Sequence, residues 1–151
     1  GIPDSVLKKP GPLTPDERQT MNRHAAIGAS ILGKSRIELF QLASEIALTH
    51  HERWDGQGYP NQLAGEDIPL SGRIVAVVDF YDALTMNRVY RPAFSHEKVL
   101  EMLLAERGRA FDPAIVDCFM RSNIAMSAVR ERVTNQQMTF SDLIQNEPVN
   151  P

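Results

Sequence analysis

Cysteine is nearly absent from this chain of 151 residues. Cys118 is the single thiol, so no internal disulfide can form and no second thiolate is available for a structural zinc site. A core or surface thiol in a reducing cytoplasm is the expectation that follows. Long hydrophobic runs are missing too. No stretch of about 18 apolar residues occurs, and Gly1-Ile2-Pro3 has neither a basic flank nor an apolar signal stretch. Membrane contact by this segment is therefore not expected. Charge of one sign is scarce, with a formal net charge of -3, which argues against a nucleic-acid polymer or an anionic membrane as partner. Any recognition of an anion must be local. The chain also lacks an initiator methionine, as a processed or excised fragment would. What is present is a hydrophobic share of 42%, enough for the core of one domain.

Helix punctuation is clear along most of the chain. Pro3, Pro10, Gly11 and Pro12 predict an irregular lead-in over residues 1–13. Thr14-Pro15-Asp16-Glu17 then combines a capping hydroxyl, a proline at the first helical position and a glutamate at the third. Met21, His24, Ala25, Gly28, Ile31 and Leu32 follow at helical steps and form one inward stripe, with Gly33 as the stop. Phe40, Ala43, Ile46, Ala47 and His50 predict a second helix from Ile37 to about Glu52, carrying His50 and His51 in its last turn. Turn formers from Trp54 to Pro69 predict a long loop. Residues 71–86 are apolar nearly all round, and a run of that length predicts a buried helix. Asp79 and Asp82, three apart, share a face of it. Ser95 caps a further helix to about Glu106, and Asp112-Pro113 opens one to about Val133, with Val99, Leu103, Ile115, Phe119 and Val129 facing inward. Residues 134–151 read as a polar linker and tail, with a short helix around Ser141 to Ile144. No repeat and no convincing strand is found, and the fold class is all-α.

Chemistry concentrates in four residues. Adjacent helical residues diverge by roughly 100°, so His50 and His51 are poorly suited to one slot of a core but suited to reaching two metal ions. An unpaired carboxylate at Asp79, within an apolar helix, would cost several kcal/mol unless a cation or donors compensate it. His24 on the first inward stripe completes a donor set suited to zinc, iron or manganese. The plain alternatives stand beside this reading. A buried histidine is more often a hydrogen-bonded core residue, an internal aspartate more often pairs, and spacing alone does not choose between them.

A longer string does. His50-His51-Glu52-Arg53-Trp54-Asp55-Gly56-Gln57-Gly58-Tyr59-Pro60 resembles the HHE-x-x-DGxGYP signature of HD-GYP domains, bacterial metal-dependent phosphodiesterases that hydrolyse cyclic di-GMP. Leu63, Gly65, Ile68-Pro69-Leu70 and Arg73-Ile74-Val75 continue that pattern, while Ile2-Pro3-Asp4 and Lys9-Pro10-Gly11 resemble the stretch after the family's HD-x-GK motif. The likeness runs from Gly1 to about Met120 and then fades. The HD-x-GK segment itself is not in the chain, so residues 1–133 are expected to be the C-terminal part of such a domain.

The resemblance implies a helical bundle of the HD-domain type with a long GYP loop. It implies that His24, His50, His51 and Asp79 bind a cluster of two or three divalent transition metals, with iron or manganese foremost and zinc the other candidate. It assigns Asp82, Arg88 and Arg91 to the ligand pocket, where planar arginine donors suit phosphate and guanine edges. It links Gly58, Tyr59 and Pro60 with binding of diguanylate cyclase (GGDEF) domains rather than with the chemistry, and an upstream sensory or receiver domain with the parent protein. Trp54 and Tyr59 have a second reading, as a loop folding back on the helices as its own small core. The implied reaction is metal-dependent hydrolysis of cyclic di-GMP to linear pGpG, GMP or both. The competing expectation is an inactive module that binds the dinucleotide or a cyclase domain. Four protein ligands are few for two or three ions, so this chain alone is expected to be weakly active or inactive.

Overall fold

In a computed structural model the chain is described over residues 1–87 and 92–134. It forms two compact units, residues 1–116 and 117–151. Seven helices are seen among the described residues: α1 (Asp4–Leu7), α2 (Pro15–Leu32), α3 (Glu38–Thr49), α4 (Leu70–Thr85), α5 (His96–Ala105), α6 (Pro113–Arg121) and α7 (Asn123–Thr134). The expected all-α class is what is observed, with a single isolated bridge between Arg107 and Phe111 and no strand among the described residues. None of the described helices is long and apolar enough to cross a membrane.

The caps explain the starts. The Thr14 hydroxyl accepts from the Glu17 backbone N–H, and the Glu17 carboxylate accepts from Thr14 N–H, so the capping box is closed in both directions. The Ser95 hydroxyl accepts from Lys98 N–H at the start of α5, and Asp112 accepts from Ala114 N–H at the start of α6.

Within the first unit α1 packs on α2, α2 on α3, α3 on α4 and α4 on α5. The Ser44 hydroxyl of α3 donates to the Ala29 carbonyl of α2 at 2.9 Å. α3 and α4 approach closely because position 72 is glycine: a Cβ there would lie 2.9 Å from Thr49 Cβ. Ala25, Val77, Val99 and Leu103 are completely buried.

Several expectations are corrected. The lead-in contains the one-turn helix α1, which Pro3 precedes and whose Lys8 amide bonds back to Asp4. α3 ends at Thr49, so His50 is its C-cap and His51 lies beyond it rather than in the final turn. α4 is not buried all round: Gly72, Val77, Tyr81 and Thr85 face inward, while Leu70, Ile74 and Val78, spaced four apart, remain exposed. Ile31, Phe40 and Val129 are exposed as well, because an apolar period defines a stripe broader than the contact a neighbouring helix makes. The helix expected from Pro113 to Val133 breaks at Ser122, where the Asn123 side chain donates to the Met120 carbonyl and competes with helical pairing. The short helix expected around Ser141 lies outside the described residues.

Candidate metal centre

The C-terminus of α3 and the turn after it bring His50 and His51 beside His24 of α2. One ring nitrogen from each of the three lies within 4.8 Å of the others. Three nitrogens evenly sharing one ion at about 2.1 Å lie at most about 3.6 Å from one another, so the rings have to close in by up to about 1.2 Å to become a coordination set. The rings of His50 and His51 are 4.0 Å apart and tilted by 38°. His51 lies beyond the end of α3, so the roughly 100° divergence of adjacent helical residues does not apply to the pair.

The protonation chemistry of the cluster fits a cation. His24 Nδ1 lies 2.8 Å from the Met21 carbonyl, and His50 Nδ1 lies 3.0 Å from the carbonyls of both Ile46 and Ala47. A carbonyl can only accept, so Nδ1 carries a proton in both residues, which leaves Nε2 as the nitrogen a metal would use. His51 is held neutral. Burial first, and then the neighbouring His50 and His24, push its pKa down to about 4. Three clustered imidazoles are a donor set suited to zinc, iron or manganese.

A cleft of about 590 Å³ opens in front of the pair. Its walls combine polar and charged residues, His50, His51, Tyr59, Asp79 and Glu106 among them, with apolar Phe80, Leu84, Met102 and Phe111. Asp79 is exposed to this cleft, so water carries its charge and the expected penalty of a buried carboxylate does not arise. It shares the cleft wall with His50 and His51 but does not belong to the tight histidine cluster. Asp82 is exposed and is not among the residues lining the cleft. Arg88 and Arg91 lie outside the described residues.

The loop after His51 folds back on it. Tyr59 N–H donates to the His51 carbonyl at 3.2 Å, and the Tyr59 ring stacks 4.8 Å from the imidazole at an interplanar angle of 32°. Tyr59, expected to stand apart from the chemistry, is thus a wall of the site, and burial raises its phenol pKa. Gly58 permits the fold-back: a Cβ there would lie 2.5 Å from Glu52 Cα. Trp54 anchors the other side of the loop, with its N–H on the Ala110 carbonyl and the Arg73 guanidinium 5.9 Å from its ring centroid.

Sequence reasoning missed Glu52. Its side chain is 3% exposed and accepts from Asn61 N–H at 2.7 Å and Leu63 N–H at 3.1 Å, which fixes the loop directly after Tyr59-Pro60. The signal was a carboxylate adjoining a histidine pair at the head of a turn-rich loop. Arg73 and Asp112 were missed as well, a largely buried ion pair at 2.8 Å that joins α4 to the start of α6.

The family described as HD domain matches residues 1–115. A cyclic di-GMP phosphodiesterase of Vibrio cholerae serotype O1 is 54% identical over 125 residues, which cover 80% of this chain and 25% of the relative. A 3'3'-cGAMP-specific phosphodiesterase of the same organism is 46% identical, with 85% and 25% covered. A cyclic di-GMP phosphodiesterase response regulator of Xanthomonas campestris pv. campestris is 49% identical, with 85% and 34% covered. The chain thus spans about a quarter to a third of the length of these relatives. A crystal structure of a cyclic GMP-AMP specific phosphodiesterase from V. cholerae superposes with a TM-score of 0.53 at 20% identity, covering 97% of this chain and 36% of that one, which is a likeness of fold.

Proposed function

This chain belongs to the HD domain family, and from that premise we propose that it is the histidine-bearing part of a metal-dependent phosphodiesterase that hydrolyses cyclic di-GMP. The observation that carries the proposal is the clustering of His24, His50 and His51, the latter two on the wall of an open cleft. A divalent ion bound there supplies Lewis-acid charge at phosphorus and water of lowered pKa.

The chain's own residues do the remaining work. His24 and His50 present Nε2 while backbone carbonyls hold their Nδ1 protons. Asp79, on the wall of the cleft that His50 and His51 line, is the fourth ligand in this reading and supplies the negative charge that imidazole ligands lack. Asp82, Arg88 and Arg91 bind substrate, the two guanidinium groups matching the two phosphates of a cyclic dinucleotide. Iron or manganese is the preferred metal and zinc the alternative, at two or three ions per complete site. Gly58, Tyr59 and Pro60 lie on a folded loop that also offers Gln57, Pro60 and Asn61 to solvent, a surface on which a GGDEF domain could dock. A cytoplasmic setting fits the single cysteine.

The relatives' names divide between cyclic di-GMP and 3'3'-cGAMP, so the test uses both substrates. Exchanging the matched segment of the V. cholerae cyclic di-GMP phosphodiesterase for this chain is expected to preserve release of the linear dinucleotide with manganese or iron(II). His50→Ala in the chimera is expected to abolish it. A folded chimera that binds the dinucleotide without turnover would establish the binding-module alternative instead.

A further inference from the structure

The three histidines are not oriented in the same way. His24 and His50 each donate Nδ1–H to a backbone carbonyl, which fixes the ring orientation. The His51 ring makes no hydrogen bond among the described residues. What it has instead are aromatic neighbours, the His50 ring at 4.0 Å and the Tyr59 ring at 4.8 Å, both within 40° of parallel, and the His24 ring edge-on at 4.9 Å. Without such packing an imidazole turns readily about its last side-chain bond, because that torsion is broad. Half of its orientations would then exchange the two ring nitrogens at the ligand position.

We infer that Tyr59 is a positioning residue that locks the His51 imidazole, by ring stacking, in the orientation the metal site requires. The inference rests on the metal reading above. Tyr59 is itself clipped in place: its N–H is on the His51 carbonyl, Gly58 lies tightly against the Glu52 backbone, and the Glu52 carboxylate holds Asn61 and Leu63. The backbone that carries the Tyr59 ring therefore cannot move away from His51 without opening the loop. The stacking geometry falls in the offset range that aromatic pairs prefer, about 4.5–7 Å between centroids, and it uses the ring face, with no part for the hydroxyl.

The test uses the 151-residue chain with cobalt(II) alone as the probe, read by its ligand-field absorption, and the metal-free protein read by the imidazole C–H signals of His51 in NMR, assigned with His51→Gln. Tyr59→Phe is expected to keep the wild-type affinity and the ring-current displacement of the His51 signals. Tyr59→Leu is expected to lose that displacement and to bind cobalt about tenfold more weakly, the usual effect of removing a group that orients a ligand. Tyr59→Met replaces it if the leucine variant does not fold. Wild-type behaviour of the leucine or methionine variant in both measurements overturns the inference, and so does an equal loss in Tyr59→Phe, which would put the hydroxyl at work. Failure of wild type to take up cobalt contradicts the metal reading instead. The metal-free signals then decide alone, and if they do not change with residue 59 the inference falls.

Discussion

Replacing Glu52 by glutamine keeps the shape of the side chain and removes its charge, so the outcome measures how the loop over His51 is held. Two backbone donors, Asn61 N–H at 2.7 Å and Leu63 N–H at 3.1 Å, point at different oxygens of a carboxylate that is 3% exposed. A glutamine amide satisfies one and sets its own NH2 against the other. Losing one charge-assisted bond costs about 1.5–3 kcal/mol, and a buried donor left facing a donor adds about 1–3 kcal/mol. Relief from burying a carboxylate returns part of this, since desolvating an ion costs several kcal/mol. The net expectation is a destabilisation of about 1–3 kcal/mol, and a fall in Tm of roughly 2–12 °C for a chain of this size. Urea unfolding gives the global value, and hydrogen exchange at the Asn61 and Leu63 amides should accelerate more than exchange in α2. A variant within about 0.5 kcal/mol of wild type, with unchanged exchange at those two amides, would refute the role assigned to Glu52.

Gly72→Ala should push α4 away from Thr49, destabilise the protein by about 1–3 kcal/mol and weaken metal binding by displacing Asp79 relative to His50; an unchanged Tm and metal affinity would show that the α3–α4 contact is not as tight as 2.9 Å implies. The metal-free protein should lose stability as pH falls from about 6.5 toward about 4, because His51 titrates near 6.5 when unfolded and near 4 when folded, so the unfolded chain binds more protons in that window. The full shift would be worth about 3 kcal/mol, and the ring's partial exposure reduces this to about 1 kcal/mol, read as the difference between unfolding of wild type and of His51→Gln at pH 7 and pH 4.5. Arg88→Ala and Arg91→Ala should weaken dinucleotide binding in calorimetry while leaving metal content unchanged; unchanged affinity in both removes them from the substrate site.

Helix starts were readable because they depend on local groups: Thr14 with Glu17, Ser95, and Asp112 with Pro113 each satisfy amides within three residues of themselves. Helix faces were read less well. Ile31, Phe40, Ile74 and Val78 fit the apolar period yet stay exposed, since the period says which side is apolar and not how much of it a neighbour covers. The break at Ser122 carried no glycine or proline to announce it. At the site, the meeting of His24 with His50 followed from one inward stripe on each helix, and His51 came with it as the next residue in the chain. The exposure of Asp79 did not, because it depends on a cleft formed by α4, α5 and the segment around Phe111. Nor could the stacking of Tyr59 on His51 be read from spacing: it requires the chain to reverse through Gly56 to Gly58, and the partner that holds the reversal, Glu52, looks like an ordinary surface glutamate.

Anomalous diffraction from crystals soaked with manganese, iron(II) or zinc tests the central claim most directly. The account predicts a metal peak within about 2.5 Å of a ring nitrogen of each of His24, His50 and His51, with Nε2 as the ligand atom of His24 and His50. A metal bound elsewhere, or a saturated site that leaves His24 more than about 4 Å from the ion, would contradict it.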